Sequence, residues 1–169
     1  MIRSVVTITA GAMLLALPQS ATAQEAVVKA ADVEALFTSP DPVLNRNKQA
    51  AYHIMKDLLE AGHWDEADKW LTEKYIQHNP NVASGRDTVV RFFKSIGAVA
   101  KPVPEKLGAP VVSVTAEGDM VVVATVQTLP DPRNHGQTYT TTWFDMWRMV
   151  DGKADEHWDS SPVFVPPAK

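Results

Sequence analysis

The sequence predicts an α+β fold: three N-terminal helices packed on a curved, mainly antiparallel β-sheet that encloses a pocket. Two observations carry this. Apolar residues recur at helical spacing up to Ile96 and at strand spacing from Pro110 onward. The helical stretches also precede the strands instead of alternating with them, which separates α+β from α/β. A chain of 169 residues, 45% of them hydrophobic, suits one domain with a full core.

Residues 1–23 read as a secretory signal peptide. Arg3 supplies the positive end, Ala12-Met13-Leu14-Leu15-Ala16-Leu17 the apolar run, and Ala21-Thr22-Ala23 a small-x-small cleavage site before Gln24. The expectation is a secreted protein, periplasmic in a two-membrane bacterium. The chain has no Cys, so disulfides, thiol nucleophiles and lipid-anchored cysteines are excluded. Residues 24–44 read as an arm with a short helix around 33–37, in which Pro40-Asp41-Pro42 interrupts any helix. The domain proper is expected over residues 45–163, with a tail at 164–169.

Residues 45–61 predict an amphipathic helix, because Ala51, Ile54, Met55, Leu58 and Leu59 share one face and Gly62 is a fitting stop. Trp64, Ala67, Trp70 and Leu71 mark a second, short helix. Glu73 to Pro80 is brief and extended. Ser84-Gly85-Arg86-Asp87 reads as a capping box with Ser84 at the N-cap. The helix it opens carries Val89, Val90, Phe93 and Ile96 and ends at Gly97. Strands are expected over residues 111–116, 120–129, 138–150 and 153–161, separated by Gly, Pro, Asp and Asn turn signals.

The last two strands form a hairpin around Asp151-Gly152 that carries Trp143, Asp145, Trp147, His157, Trp158 and Asp159. Its turn decides which side chains share a face. A two-residue loop sets Asp145 opposite Trp158 and sends His157 and Asp159 to the other side. A three-residue loop puts Asp145, His157 and Asp159 together.

The helix order, the stretch Tyr75-Ile76-Gln77-His78-Asn79-Pro80 leading to Gly85, and Asp145 followed by Asp-Gly-Lys and Glu156-His157-Trp158-Asp159 resemble the SnoaL-like branch of the nuclear transport factor 2-like superfamily. That branch is named for polyketide cyclases that close a ring by intramolecular aldol condensation. The resemblance implies a cone-shaped fold, Asp159 as acid/base, Asp145 lining the same cavity, and therefore the three-residue turn. It implies that His78 and Asn79 enter the cavity from the helical side, and that members pair through the outer sheet face. Phe144 and Met146 alternate with Asp145 and would give that face its apolar surface, so a homodimer is expected.

In chemical terms, Asp159 walled by aromatics is a candidate base, Asp145 beside it a second carboxylate, and His157 a proton partner within reach of either. His78 or Asn79 would hold an enolate oxygen. Trp143, Trp64, Tyr52 and Phe93 would supply apolar wall for a carbonyl-containing small molecule. No cofactor is expected, because no Gly-rich phosphate loop, Ser-centred elbow or nucleotide fingerprint occurs. No metal is expected either, since His157-x-Asp159 is the one close-spaced ligand pair. A net charge of −4 without a basic run argues against nucleic acid and against membrane association after signal removal. Two classes stay open: a small cofactor-independent enzyme, either an aldol-type cyclase or a related isomerase or hydrolase, and a non-catalytic small-molecule-binding module using the same pocket.

Overall fold

The computed structural model describes residues 25–165. The expected signal peptide and the end of the expected tail lie outside them. Among the described residues no helix is long and apolar enough to cross a membrane. The arm crosses the sheet edge, where the Ala30 N–H donates to the Val111 carbonyl, and forms the one-turn α1 (Val33–Leu36). Pro40-Asp41-Pro42 does not interrupt a helix; it starts one. The Asp41 carboxylate accepts from the Val43 and Leu44 N–H groups, and Pro42 stands in the first turn, where its missing N–H costs nothing. Helix α2 (Pro42–His53) therefore begins before the expected domain boundary.

The expected helix over 45–61 is also not α-helical throughout. From Ile54 to Glu60 it widens into a π-helix, which Gly62 ends at a φ of 76°. A Cβ at Gly62 would meet the Val99 carbonyl oxygen at 2.5 Å, so glycine is required there. A 3₁₀ segment (Trp64–Lys69) follows, then β1 (Leu71–Gln77) and α3 (Arg86–Ser95). Gly85, not Ser84, caps α3; the Ser84 hydroxyl instead accepts from the Gln77 N–H. Ile96, expected on the apolar stripe, is exposed, because α3 has ended before it.

Strands β2 (Val111–Glu117), β3 (Met120–Pro130), β4 (Thr138–Val150) and β5 (Lys153–Asp159) complete one sheet in the order β1-β5-β4-β3-β2. All pairs are antiparallel except β1 with β5. The helices and the inner sheet face enclose a core that includes Phe37, Leu58, Leu71, Val89, Val121, Val123 and Trp147.

The β4–β5 hairpin corrects the turn expected from the family resemblance. Val150 pairs with Lys153 across a two-residue Asp151-Gly152 turn, and both turn residues have positive φ, as a type I′ turn demands. A bulge then restores the parity: Met149 pairs with Ala154 but Arg148 with Glu156, so Asp155 is the extra residue. Beyond the bulge, Asp145 faces Asp159 and Trp147 faces His157. The Asp155 carboxylate accepts from the Thr72 hydroxyl and the Lys74 ammonium of β1, both at 2.7 Å. Strand β1 is itself irregular opposite it. The bulge is thus held from a strand distant in sequence.

Candidate active site

Three strands aim their alternate side chains into one cavity of about 320 Å³. Strand β4 contributes Asp145 and Trp147, β5 contributes His157 and Asp159, and β1 contributes Tyr75 and Gln77, with Asn79 just beyond its end. The helical side closes the cavity with Ile54, Trp64, Val89 and Phe93. Trp64 and Phe93 stack face to face with ring centroids 3.9 Å apart. Among the described residues no Lys or Arg lines it. Asp145 also borders a shallower groove of about 300 Å³ beside Met55, Glu60 and Pro110.

The polar groups at the floor are mutually tied. The His157 ring places Nε2 3.1 Å from Asp145 Oδ1 and Nδ1 2.9 Å from Gln77 Oε1. A charged imidazole donates to both oxygens. A neutral one donates to one and needs the Gln77 amide turned to serve the other. Asp159 accepts the Asn79 Nδ2–H at 2.7 Å on one oxygen and the Ser161 N–H at 2.9 Å on the other. The Asn79 amide orientation is fixed independently, because its Oδ1 accepts the Asn81 N–H at 2.8 Å. The Trp147 indole N–H donates to the Tyr75 hydroxyl at 3.3 Å, and burial pushes that phenol above its ordinary range, so it stays neutral.

Of the candidates named from sequence, Asp145, His157, Asp159, Asn79, Trp64 and Phe93 meet at this cavity. His78 does not. Strand alternation turns it outward, where it stacks on Trp158 and lies 3.2 Å from Glu156. Trp143 shares the strand face of Asp145 but pairs with Thr125 beyond the lining residues. Tyr52 packs edge-on against Phe37 in the core. Gln77, Tyr75 and Trp147 join the site without having been singled out as site residues. Gln77 and Trp147 lie one two-residue step from Asn79 and Asp145, and Tyr75 lies two such steps from Asn79, so strand periodicity run outward from those candidates would have found all three.

The three ionisable groups could also hold a cation. Asp145, His157 and Asp159 each offer one ligand atom, and these lie within 4.8 Å of one another. A cation bound at Nε2 would have to replace the hydrogen bond to Asp145, and Asn79 and Ser161 would orient Asp159 from behind.

The helix-backed α+β sheet thus encloses a carboxylate pair and an imidazole in a largely apolar cavity. The sequence profile of the SnoaL-like domain matches residues 52–157, and the chain belongs to that family. Solved structures of similar fold include a candidate SnoaL-like polyketide cyclase from Jannaschia sp. CCS1, 19% identical over 73% of this chain and 91% of that one, with a TM-score of 0.48. A candidate polyketide cyclase from Acidithiobacillus ferrooxidans is 16% identical over 68% and 86%, also at 0.48. An LEH-like epoxide hydrolase from M. tuberculosis is 13% identical over 68% and 80%, at 0.47. No curated protein sequence matches the chain.

Proposed function

We propose that this protein is an exported, cofactor-independent acid/base catalyst acting on an apolar small molecule that carries a carbonyl group, with Asp159 as the base. The observation that carries the reading is the setting of Asp159. Its carboxylate is aimed by two N–H donors into a cavity walled by Trp64, Phe93 and Trp147, with a second carboxylate and an imidazole beside it. In such surroundings charge is poorly screened and a proton transfer is sensitive to fixed neighbours.

In the proposed reaction Asp159 takes a proton from a carbon next to the carbonyl. The second N–H of Asn79 is available to the developing enolate oxygen. The Asp145–His157 pair holds or returns a proton in the step that follows, which is carbon–carbon bond formation in an aldol-type cyclase or reprotonation in an isomerase. Asp159→Asn keeps the shape and removes the base. Wild-type protein should exchange the α-protons of a bound 1,3-diketone with deuterated water faster than buffer alone does, and the variant should bind the diketone but exchange it no faster than buffer.

A binding module is the second reading. It is favoured by the same closed network, since both Asp159 oxygens and both His157 nitrogens already have protein partners. Binding by the wild type with exchange no faster than in buffer would establish it. The proposal extends to a homodimer through the outer sheet face. Val122, Phe144, Met146 and Trp158 line a groove there, and Phe144 is 48% exposed. A monomer at micromolar concentration in sedimentation would overturn that part. Export rests on the Arg3, apolar-run and Ala21-Thr22-Ala23 pattern, and an N-terminus at Gln24 in protein recovered outside the cytoplasm would test it.

A further inference from the structure

The segment after the last strand turns back to the site. Asn81, in the loop after β1, directs its whole amide at it. Nδ2 donates to Ser161 Oγ at 3.1 Å and to the Pro162 carbonyl at 2.9 Å, while Oδ1 accepts the Phe164 N–H at 2.7 Å. Both amide hydrogens and the oxygen are thereby used on one stretch of chain. The backbone N–H of Asn81 in turn fixes Asn79, Asn79 holds Asp159, and Asp159 accepts from Ser161. These bonds form a closed circuit between the base and the C-terminal segment. At its far end the Phe164 ring lines the cavity mouth with Val82 and Phe92, yet Phe164 is 71% exposed. A large apolar side chain fastened at a cavity mouth with most of its surface in water gains if a ligand covers it.

We propose that residues 161–165 form a wall of the binding site in which Phe164 selects ligands by size, and that Asn81 is the positioning residue that holds this wall. The proposal rests on the cavity being the ligand site argued above, and it adds the ligand class: a carbonyl compound whose reacting end sits at Asp159 and whose second apolar ring reaches the mouth. A single-ring ketone fills the floor and leaves Phe164 uncovered.

The test uses the full chain and two probes, cyclohexanone and 2-acetylnaphthalene, with binding followed by quenching of the cavity tryptophans. Phe164→Ala should weaken 2-acetylnaphthalene about tenfold, as expected for lost burial of one ring face, and leave cyclohexanone within about twofold. Phe164→Leu should recover most of the loss. Asn81→Ala should show the same selective loss, and the double variant should be no worse than the worse single one, because the two residues act through one segment. Hydrogen exchange supplies a ligand-free check: the Phe164 amide should be protected in the wild type and lose protection in Asn81→Ala. An unprotected wild-type amide, equal weakening of both probes, or no weakening of either overturns the proposal. If wild type binds neither probe, this proposal and the functional reading fail together. If Asp159→Asn abolishes exchange while Phe164→Ala changes nothing, the wall alone fails.

Discussion

Two histidine–carboxylate pairs lie on opposite faces of the sheet where β5 meets its neighbours, one within the β4–β5 hairpin and one between β5 and the residue just after β1. His157 lies 3.1 Å from Asp145 on the inner face, and His78 lies 3.2 Å from Glu156 on the outer one. Each imidazole also rests near an indole, His157 tilted against Trp147 and His78 stacked on Trp158. By contact distance the pairs are equivalent. Their surroundings differ. The inner side chains are 9% and 16% exposed, the outer ones 41% and 21%. The outer carboxylate is shared with the Arg148 guanidinium at 3.3 Å, whereas among the described residues no Lys or Arg lines the inner cavity. Water, salt and a neighbouring guanidinium damp a charge change at Glu156. A charge change at Asp145 is felt by Asp159 and by whatever occupies the cavity. The pairing geometry therefore does not mark a site; the apolar enclosure does.

The comparison can be broken at several points. The largest effect should come from Asp159→Asn, which lowers turnover of a competent substrate about 100- to 10,000-fold with little change in KM, the pattern of an interaction made in the transition state. Next, Asp145→Asn should lower turnover on the order of tenfold to a hundredfold, while Glu156→Gln on the outer face leaves it within about twofold. Equal effects of the two in steady-state kinetics would remove the distinction drawn here.

The third prediction concerns the bulge that separates the two faces. The Lys74 ammonium bonded to Asp155 holds that carboxyl below the usual carboxylate range, with the Thr72 hydroxyl adding to the effect against the cost of burial. A depressed carboxyl contributes stability that is complete above its unfolded value of about 4 and is lost as pH falls through the folded value. Urea midpoints should therefore drop on acidification below about pH 4, and Asp155→Asn should flatten that part of the profile. At neutral pH Asp155→Ala should cost about 1–3 kcal/mol in the same assay. The smallest effect belongs to His78→Gln, which should shift unfolding by no more than about 0.5 kcal/mol, as exposed pairs do.

Periodicity made the fold legible. The change of repeat near Pro110 located the sheet, and the apolar stripe from Ala51 to Leu59 located the main helix. The facing of the site was less accessible. Asp155 becomes a bulge because Thr72 and Lys74 hold it from β1, and no spacing within the hairpin reveals a contact made across more than 80 residues. His78 and Asn79 show the opposite case. Alternation allows one of the two into the cavity, and the parity of β1 against β5 selects Asn79. Phe164 carried no signal, since a Pro-flanked terminal segment has no repeat to read. Asp41-Pro42 was ambiguous for a local reason: the same dipeptide ends one helix and starts another, depending on which side the helix lies.

The π-helical stretch has a counterpart in the bulge. Ile54 and Leu59 both reach the cavity although they are five residues apart, a spacing that in an α-helix leaves two side chains about 140° from each other. The wider turn brings them onto one side. The cavity is thus bounded on its helical wall and on its strand wall by segments whose regular repeat has taken in extra chain. Gaining or losing one residue in either segment would re-aim a wall while strand order and helix placement stayed as they are. A scaffold with two such adjusters can change the shape of its cavity by insertion or deletion alone, without a single substitution in the core.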